Sequence, residues 1–403
     1  MNIRTLRSLV LLFVLCTLTQ PVTSAEIKVE LQTKRTWEFK SVGVRFNNEF
    51  SGARLNGVEQ ADLREFTVTI NPENRPINRS PWYAFQIASA EKQTISVRFV
   101  LTYPGVTALP KLSHDGVTWT PLKTNAWSLD GTNRVAKLEV GPQPLWVFAH
   151  EPIGLQAFGA WMDAKSKLPF AKGKTIGESI EKRALRQLSF SETTNANYVF
   201  IIGRQHPPEI TGTVGLISFV DTITGDSELA KKFRRQFQTV VIPLVNPDGV
   251  EHGHWRSTLG GIDPNRDWEK FTQPEPRATS QAILAAAKSA GARPFLFVDF
   301  HSTGEDVFYT QKDSELTFPT DFTKHWLGAI QDRFPDYKFK RDSGHNVNQP
   351  TSKHWAWTKL GCPGITYEFS YSTDRALIRK ISAGAAEEMM KLLLAETVSG
   401  RGK

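Results

Sequence analysis

The stretch Tyr198-Val-Phe-Ile-Ile-Gly-Arg-Gln-His-Pro-Pro-Glu209 decides how the chain reads. Its first five residues are aliphatic or aromatic, which suits a strand buried on both faces. After Gly203 the run passes into a polar exit that holds His206 and Glu209, three residues apart. Pro207 and Pro208 exclude a regular helix between the two. The loop can fold both side chains toward one point. An imidazole with a carboxylate suits zinc, which takes N and O ligands at about 2.0–2.2 Å. Taken alone, the same letters also describe a proline-rich turn with a solvated glutamate.

A second apolar run, Pro294 to Phe300, is interrupted by Asp299 and exits into His301-Ser302-Thr303. A lone histidine at such a place is also consistent with a core residue that caps a strand. In α/β sheets, however, the functional crevice lies beyond the carboxyl ends of the strands. With polar signatures at two such ends, His301 could complete a His-Glu-His set with a fourth position open to water, the arrangement of catalytic zinc.

The run Val240 to Val245 leads into the tight turn Asn246-Pro247-Asp248-Gly249. His254-Trp255-Arg256 follows, then Gly261-Ile-Asp-Pro-Asn-Arg-Asp-Trp268. Arg266 can fork onto a carboxylate, and Asn265 adds donors. Arg256 is a second cation on the same connection, or a surface arginine. In the last apolar run, Gly364 to Phe369, Glu368 stands between Tyr367 and Phe369. A carboxylate there is costly without a partner or a task. Facing the metal, it is a candidate general base; on an edge strand, it faces solvent.

Around these stretches the chain has two grammars. Residues 26–148 show short alternating runs, among them Glu38–Val44, Glu65–Ile70, Trp82–Ile87, Thr94–Leu101 and Ala136–Val140, separated by turn clusters such as Asn71-Pro72-Glu73-Asn74. This spacing predicts an all-β sandwich. From about residue 150 strands alternate with helices, predicted over Ile153–Trp161, Asp226–Gln238, Thr279–Ala290 and from Leu377 onward, which argues an α/β sheet covered on both sides.

Residues 1–25 read as a signal peptide: Arg4 and Arg7 precede the apolar run Leu9–Leu18, which is too short to span a bilayer, and Ser24 and Ala25 offer a cleavage site. Removal takes two positive charges from a net charge of +8 and leaves +6, with Cys362 as the remaining cysteine. No later run is long enough for a membrane span, so the expectation is a soluble exported protein, periplasmic or secreted. The modest positive balance fits a solvated surface, or a preference for acidic partners such as the cell envelope. No basic run is interleaved with aromatics, which speaks against nucleic acid.

His206-x-x-Glu209, Asn246-Pro-Asp-Gly249, Trp255-Arg256, Gly261-Ile-Asp-Pro-Asn-Arg266, Asp299-Phe-His301 and Thr366-Tyr-Glu368, in this order, resemble the zinc metallocarboxypeptidase family. The similarity is greatest to its cytosolic carboxypeptidase-like branch. It extends over about residues 150–395 and includes Ile176-Gly-Glu-Ser-Ile-Glu-Lys-Arg183. The Ser80-Pro-Trp-Tyr-Ala-Phe85 stretch resembles the N-terminal domain of that branch. The resemblance implies a carboxypeptidase-like α/β catalytic domain over 149–403, a mixed sheet flanked by helices, preceded by a sandwich domain over 26–148. It implies one zinc ion per chain on His206, Glu209 and His301. Glu368 would activate the water at the metal, Arg256 would polarise the scissile carbonyl, and Asn265 with Arg266 would hold the terminal carboxylate of a peptide or protein.

Two features depart from the family pattern. Many members place a tyrosine upstream of the catalytic glutamate, whereas residues 343–366 contain none; His345, His354 and Trp355 are the candidates for its space. The same segment often lines the side-chain pocket and here holds Lys353 and Lys359, which would select an acidic terminal residue or else point to solvent. Cys362 reads as packing. Two other functions compete: a zinc amidohydrolase acting on cell-wall peptides or N-acyl amino acids, and an inactive envelope-binding protein. The Asn265-Arg266 pair favours the carboxypeptidase, because it implies a free carboxylate.

Overall fold

The computed structural model describes residues 26–75, 82–102 and 109–399. The predicted signal peptide, residues 1–25, lies outside the described residues, as do Ser80 and Pro81 of the Ser80–Phe85 stretch.

Strand Asn197–Gly203 is the axis of the fold. Gln238–Ile242 and Arg293–Thr303 run parallel to it on either side, and Gly364–Ser370 runs parallel to Arg293–Thr303. Ala184–Phe190 and Ala171–Glu178 extend one edge in antiparallel fashion. Val307–Tyr309, antiparallel to Gly364–Ser370, and then Lys340–Asp342 extend the other. The result is an eight-stranded mixed sheet.

Side chains of the axial strand alternate between two cores, as a period of two requires. Val199 and Ile201 enter one core with helices Ile210–Ile223, Phe322–Arg333 and Arg375–Ser399. Tyr198, Phe200 and Ile202 enter the other with Trp268, Trp355 and Cys362, under helices Pro274–Ala287 and Ser352–Leu360. Cys362 is a buried free thiol, in keeping with a packing role.

Helix Ile210–Ile223 lies unusually near the strands. A Cβ on Gly212 would stand 2.3 Å from the carbonyl oxygen of His301, and one on Gly215 would stand 2.3 Å from the Phe369 ring. The glycines therefore set the depth at which this helix, with Glu209 just before it, meets the strand that ends in His301.

Before this sheet stand two others. One has six strands, in the order Thr36–Phe39, Val44–Asn47, Ala84–Ser89, Leu145–Phe148, Lys111–Ser113, Thr120–Pro121. The second has five, in the order Gly57–Asp62, Glu65–Ile70, Gln93–Leu101, Asn133–Val140, Trp127–Asp130. Their inner faces meet through Phe46 and Phe66, ring centroids 5.2 Å apart, and through Phe85 and Phe99, 5.9 Å apart. This is the packing of a β-sandwich.

Differences from the sequence reading fall at element ends. The expected strand Glu38–Val44 is two strands joined by a turn in which Gly43 takes φ +64°, a conformation an alternation pattern does not report. The expected helix 226–238 spans only Glu228–Arg234, capped by the Ser227 side chain on Ala230 N–H, and the chain re-enters the sheet at Gln238. The helix expected from Thr279 begins at Pro274, where proline suits the first turn. Among the described residues no helix is long and apolar enough to cross a membrane.

Candidate active site

Strands Asn197–Gly203 and Arg293–Thr303 are neighbours, so their exits open side by side. The first exit bends at Arg204, which takes φ +53°. Its guanidinium donates from Nε to Pro207 O at 2.8 Å and from Nη1 to Thr213 Oγ1 at 3.1 Å. The bend turns His206 and Glu209 toward His301. Potential ligand atoms of His206, Glu209 and His301 all lie within 4.8 Å of one another, and the three residues are buried. The two Glu209 carboxylate oxygens lie 2.7 Å from His206 Nδ1 and 2.7 Å from His301 Nδ1.

Each imidazole is held from behind by a second carboxylate. His206 Nε2 is 2.9 Å from Asp263 Oδ1, and His301 Nε2 is 2.8 Å from Asp299 Oδ2. Asp299 is itself fixed by Gln205 Nε2 at 2.6 Å and by the Ser352 hydroxyl. Carboxylates on the outer nitrogens leave both Nδ1 atoms directed inward, as in metal-ligating histidine. Two imidazole nitrogens and a carboxylate form a donor set that suits zinc. Burial opposes charge on Glu209, but the two imidazoles outweigh it and hold the carboxyl well below its ordinary range. Burial likewise opposes charge on His301, and Asp299 with Glu209 outweighs it, so the ring keeps its proton well above the usual value. Asp263 and Asp299 sit within the motifs of the sequence, but their hold on the histidines was not read there. A carboxylate available to each candidate imidazole is the signal that could have found them.

Glu368 stands directly across the parallel pair from His301. Burial pushes its carboxyl up to about 8; His301 opposes the shift and Glu209 adds to it. Arg256 donates from Nε to Asp263 Oδ2 at 2.6 Å. Asn265 accepts the Ser352 backbone N–H on Oδ1 at 2.9 Å, which leaves the amide Nδ2 facing the cavity side, 3.4 Å from His301 Nε2. Arg266 is anchored through Nη1 to Asn265 O at 2.8 Å. Asn246 joins the two loops that carry these groups, donating to Gln205 O at 3.1 Å and Ser257 O at 3.2 Å. All seven sequence-predicted residues thus line one cavity of about 1120 Å³ between the mixed sheet and the sandwich.

The space expected for a tyrosine is shared by His345 of that segment and by a residue from another strand. His345 lines the cavity and stacks on Tyr309, ring centroids 3.9 Å apart. Tyr309 lies on the strand beside Glu368 and supplies a phenol to the cavity wall that a search of residues 343–366 misses. Trp355 packs in the core against Trp268, and His354 lies against Trp357. Lys353 is buried in the cavity wall, and burial lowers its pKa; Lys359 is exposed. The reading of Lys353 as a solvent-pointing residue is therefore corrected.

The zinc carboxypeptidase family model (Peptidase_M14) matches residues 159–387. Cytosolic carboxypeptidase 6 of Caenorhabditis elegans is 20% identical over 366 residues, which cover 82% of this chain and 79% of that protein. Cytosolic carboxypeptidase 2 of Xenopus tropicalis is 24% identical over 331 residues, 72% of this chain but 33% of that longer protein. The metallo-carboxypeptidase of Burkholderia cenocepacia shares the fold, with TM-score 0.73 and 18% identity over 88% of this chain and 99% of that one. So does the Pseudomonas aeruginosa metallo-carboxypeptidase in complex with (2-guanidinoethylmercapto)succinic acid, with TM-score 0.71 and 14% identity over 86% and 98%.

The expectation of an exported enzyme is corrected by these relatives, since the curated ones are cytosolic carboxypeptidases. A short apolar run behind two arginines is a compositional sign only. The family model spans more than half of the chain, which therefore belongs to the zinc carboxypeptidases, one-zinc hydrolases whose general reaction is cleavage of the C-terminal peptide bond of peptides and proteins.

Proposed function

We propose that His206, Glu209 and His301 hold the zinc ion, and that the surrounding residues release the C-terminal residue of peptides, with a preference for an acidic one. The observation that carries this reading is the register of His301 with Glu368 on adjacent parallel strands, which sets a base beside the ligand cluster. When bound, zinc acts as a Lewis acid and brings the pKa of an attacking water down to about 7.

The chain's own residues do the rest. Glu368 takes the proton of the attacking water on a carboxylate oxygen and returns it to the leaving amine nitrogen. Arg256, held by Asp263, directs its guanidinium at the negative charge that develops on the carbonyl oxygen; losing one such donor costs about 100- to 1,000-fold in rate. Asn265 Nδ2 and Arg266 bind the terminal carboxylate of the substrate. That clamp makes the activity exopeptidic, because only a chain end places a carboxylate one residue beyond the scissile bond. Lys353, buried in the same wall with Arg266 nearby, favours a carboxylate on the terminal side chain.

A digest of a peptide library with purified protein, read by mass spectrometry with and without chelator, tests this. Loss of single C-terminal residues, fastest for Glu or Asp and blocked by C-terminal amidation, is the expected result. Equal cleavage of acid and amide forms removes the exopeptidase assignment.

A further inference from the structure

The loop that carries Arg256 runs through residues 252–263 with no helix or strand of its own, so its backbone needs partners from elsewhere. For the three residues around Arg256 it finds them on a single carboxylate of the sandwich. Glu73, in the turn after strand Glu65–Ile70, is buried at 2% exposure. Its Oε2 accepts Trp255 N–H at 2.7 Å, and its Oε1 accepts Arg256 N–H at 3.0 Å and Ser257 N–H at 2.6 Å. Three consecutive amides on one charged acceptor fix the local backbone more tightly than neutral acceptors would. Arg54, fully buried, lies 3.7 Å from Glu73 and donates from Nε to Gly253 O at 2.8 Å, and Trp255 Nε1 donates to Trp82 O at 2.9 Å. The chain of contacts continues inward. Arg256, so placed, reaches Asp263, whose other oxygen faces His206 Nε2.

We propose that Glu73 is a positioning residue of the active site, acting through the 255–257 backbone to aim Arg256 into the cavity, so that the sandwich is part of the catalytic apparatus and not only a neighbour of it. The proposal rests on the role given above to Arg256. It does not follow from simple docking of the two units, because Asn74 also bridges them, donating from Nδ2 to Gly261 O at 2.6 Å without touching the Arg256 backbone.

The test uses the full-length, zinc-loaded chain and four variants, Glu73→Gln, Glu73→Asp, Asn74→Ala and Arg256→Ala, with the double variant E73Q/R256A. Glu73→Gln keeps the volume but turns one acceptor into a donor facing an N–H. Aspartate keeps the charge on a shorter arm. A displacement of about 1 Å in a catalytic group costs on the order of 100-fold. Glu73→Gln is accordingly expected to lower kcat roughly 100-fold with KM within about threefold and zinc content unchanged, and Glu73→Asp to recover part of the loss. Asn74→Ala is expected to lower the melting temperature and leave kcat as it was. In the Arg256→Ala background, Glu73→Gln is expected to cost little more, because the two act as one unit.

Additive losses in the double variant overturn the proposal, as does a kcat for Glu73→Gln within threefold of the parent. Failure of both Glu73 variants to fold with zinc while Asn74→Ala folds also overturns it, and makes Glu73 a folding residue. If Arg256→Ala itself keeps full kcat, it is the role of Arg256 that fails, a result separate from the others.

Discussion

His301 and Glu368 face each other across adjacent parallel strands, one a member of the candidate ligand cluster and the other outside it. In the proposed mechanism the pairing separates metal binding from proton transfer. Glu368→Gln is expected to retain zinc and lose about 100- to 10,000-fold in kcat, the usual worth of a general base. The base acts only when ionised, so kcat/KM of the parent rises with pH through the Glu368 pKa. Burial pushes that pKa up to about 8, and a divalent cation bound nearby favours the carboxylate and lowers it. Kinetics across pH 5 to 9 with metal analysis check both points; near-normal turnover in the variant removes Glu368 from the reaction.

The sequence carried the catalytic layer because each ligand ends an apolar run, and an apolar run followed by a polar exit is a one-dimensional signal. The alternation of Tyr198 to Ile202 between two cores was legible for the same reason. What was not legible is contact between distant segments. Glu73 reads as one letter of a turn until the structure sets it against Trp255, Arg256 and Ser257. Tyr309 was missed because the phenol comes from a neighbouring strand and not from the segment upstream of Glu368. Which of its two readings Lys353 takes was not legible because lysine is seldom buried, and only the cavity shows what it faces.

Lys353 gives a specificity prediction. Lys353→Met keeps most of the side-chain length without the charge. It is expected to lower kcat/KM for a peptide ending in glutamate by about 10- to 100-fold, the worth of a hydrogen bond to a charged group, and to spare a peptide ending in leucine. An equal loss on both peptides assigns Lys353 to structure.

Gly212 gives a packing prediction. A methyl group there would stand 2.3 Å from the His301 carbonyl oxygen, a backbone atom that cannot swing aside. Gly212→Ala is expected to cost roughly 1–3 kcal/mol of stability and to weaken zinc retention by displacing His301 from Glu209. Denaturant melts and dialysis against a chelator read the two effects, and a variant as stable and as well loaded as the parent would show that the helix can move away.

Glu275 gives a pH dependence of stability. It is fully buried on the helix that starts at Pro274, and only the backbone N–H groups of Glu275 and Ile180 oppose the cost of burying its charge. Burial raises its pKa from 4.5 to about 8, with Asp248 and Asp267 adding to the rise. The folded state therefore holds a proton that the unfolded chain releases. Below pH 4.5 the group has no effect; between 4.5 and 8 stability falls as pH rises; above 8 the whole cost is present. Glu275→Gln removes the titration, so its stability relative to the parent is expected to grow from pH 5 to pH 8, by an amount on the order of a few kcal/mol. A constant difference across that range contradicts the buried, proton-bearing state.

Elemental analysis of the purified, active chain against that of His301→Ala bears most directly on the metal centre. The account predicts one zinc per active chain, near-zero zinc in the variant, and activity that tracks zinc through chelation and reloading. Full turnover by protein carrying less than about a tenth of an equivalent of zinc would contradict it.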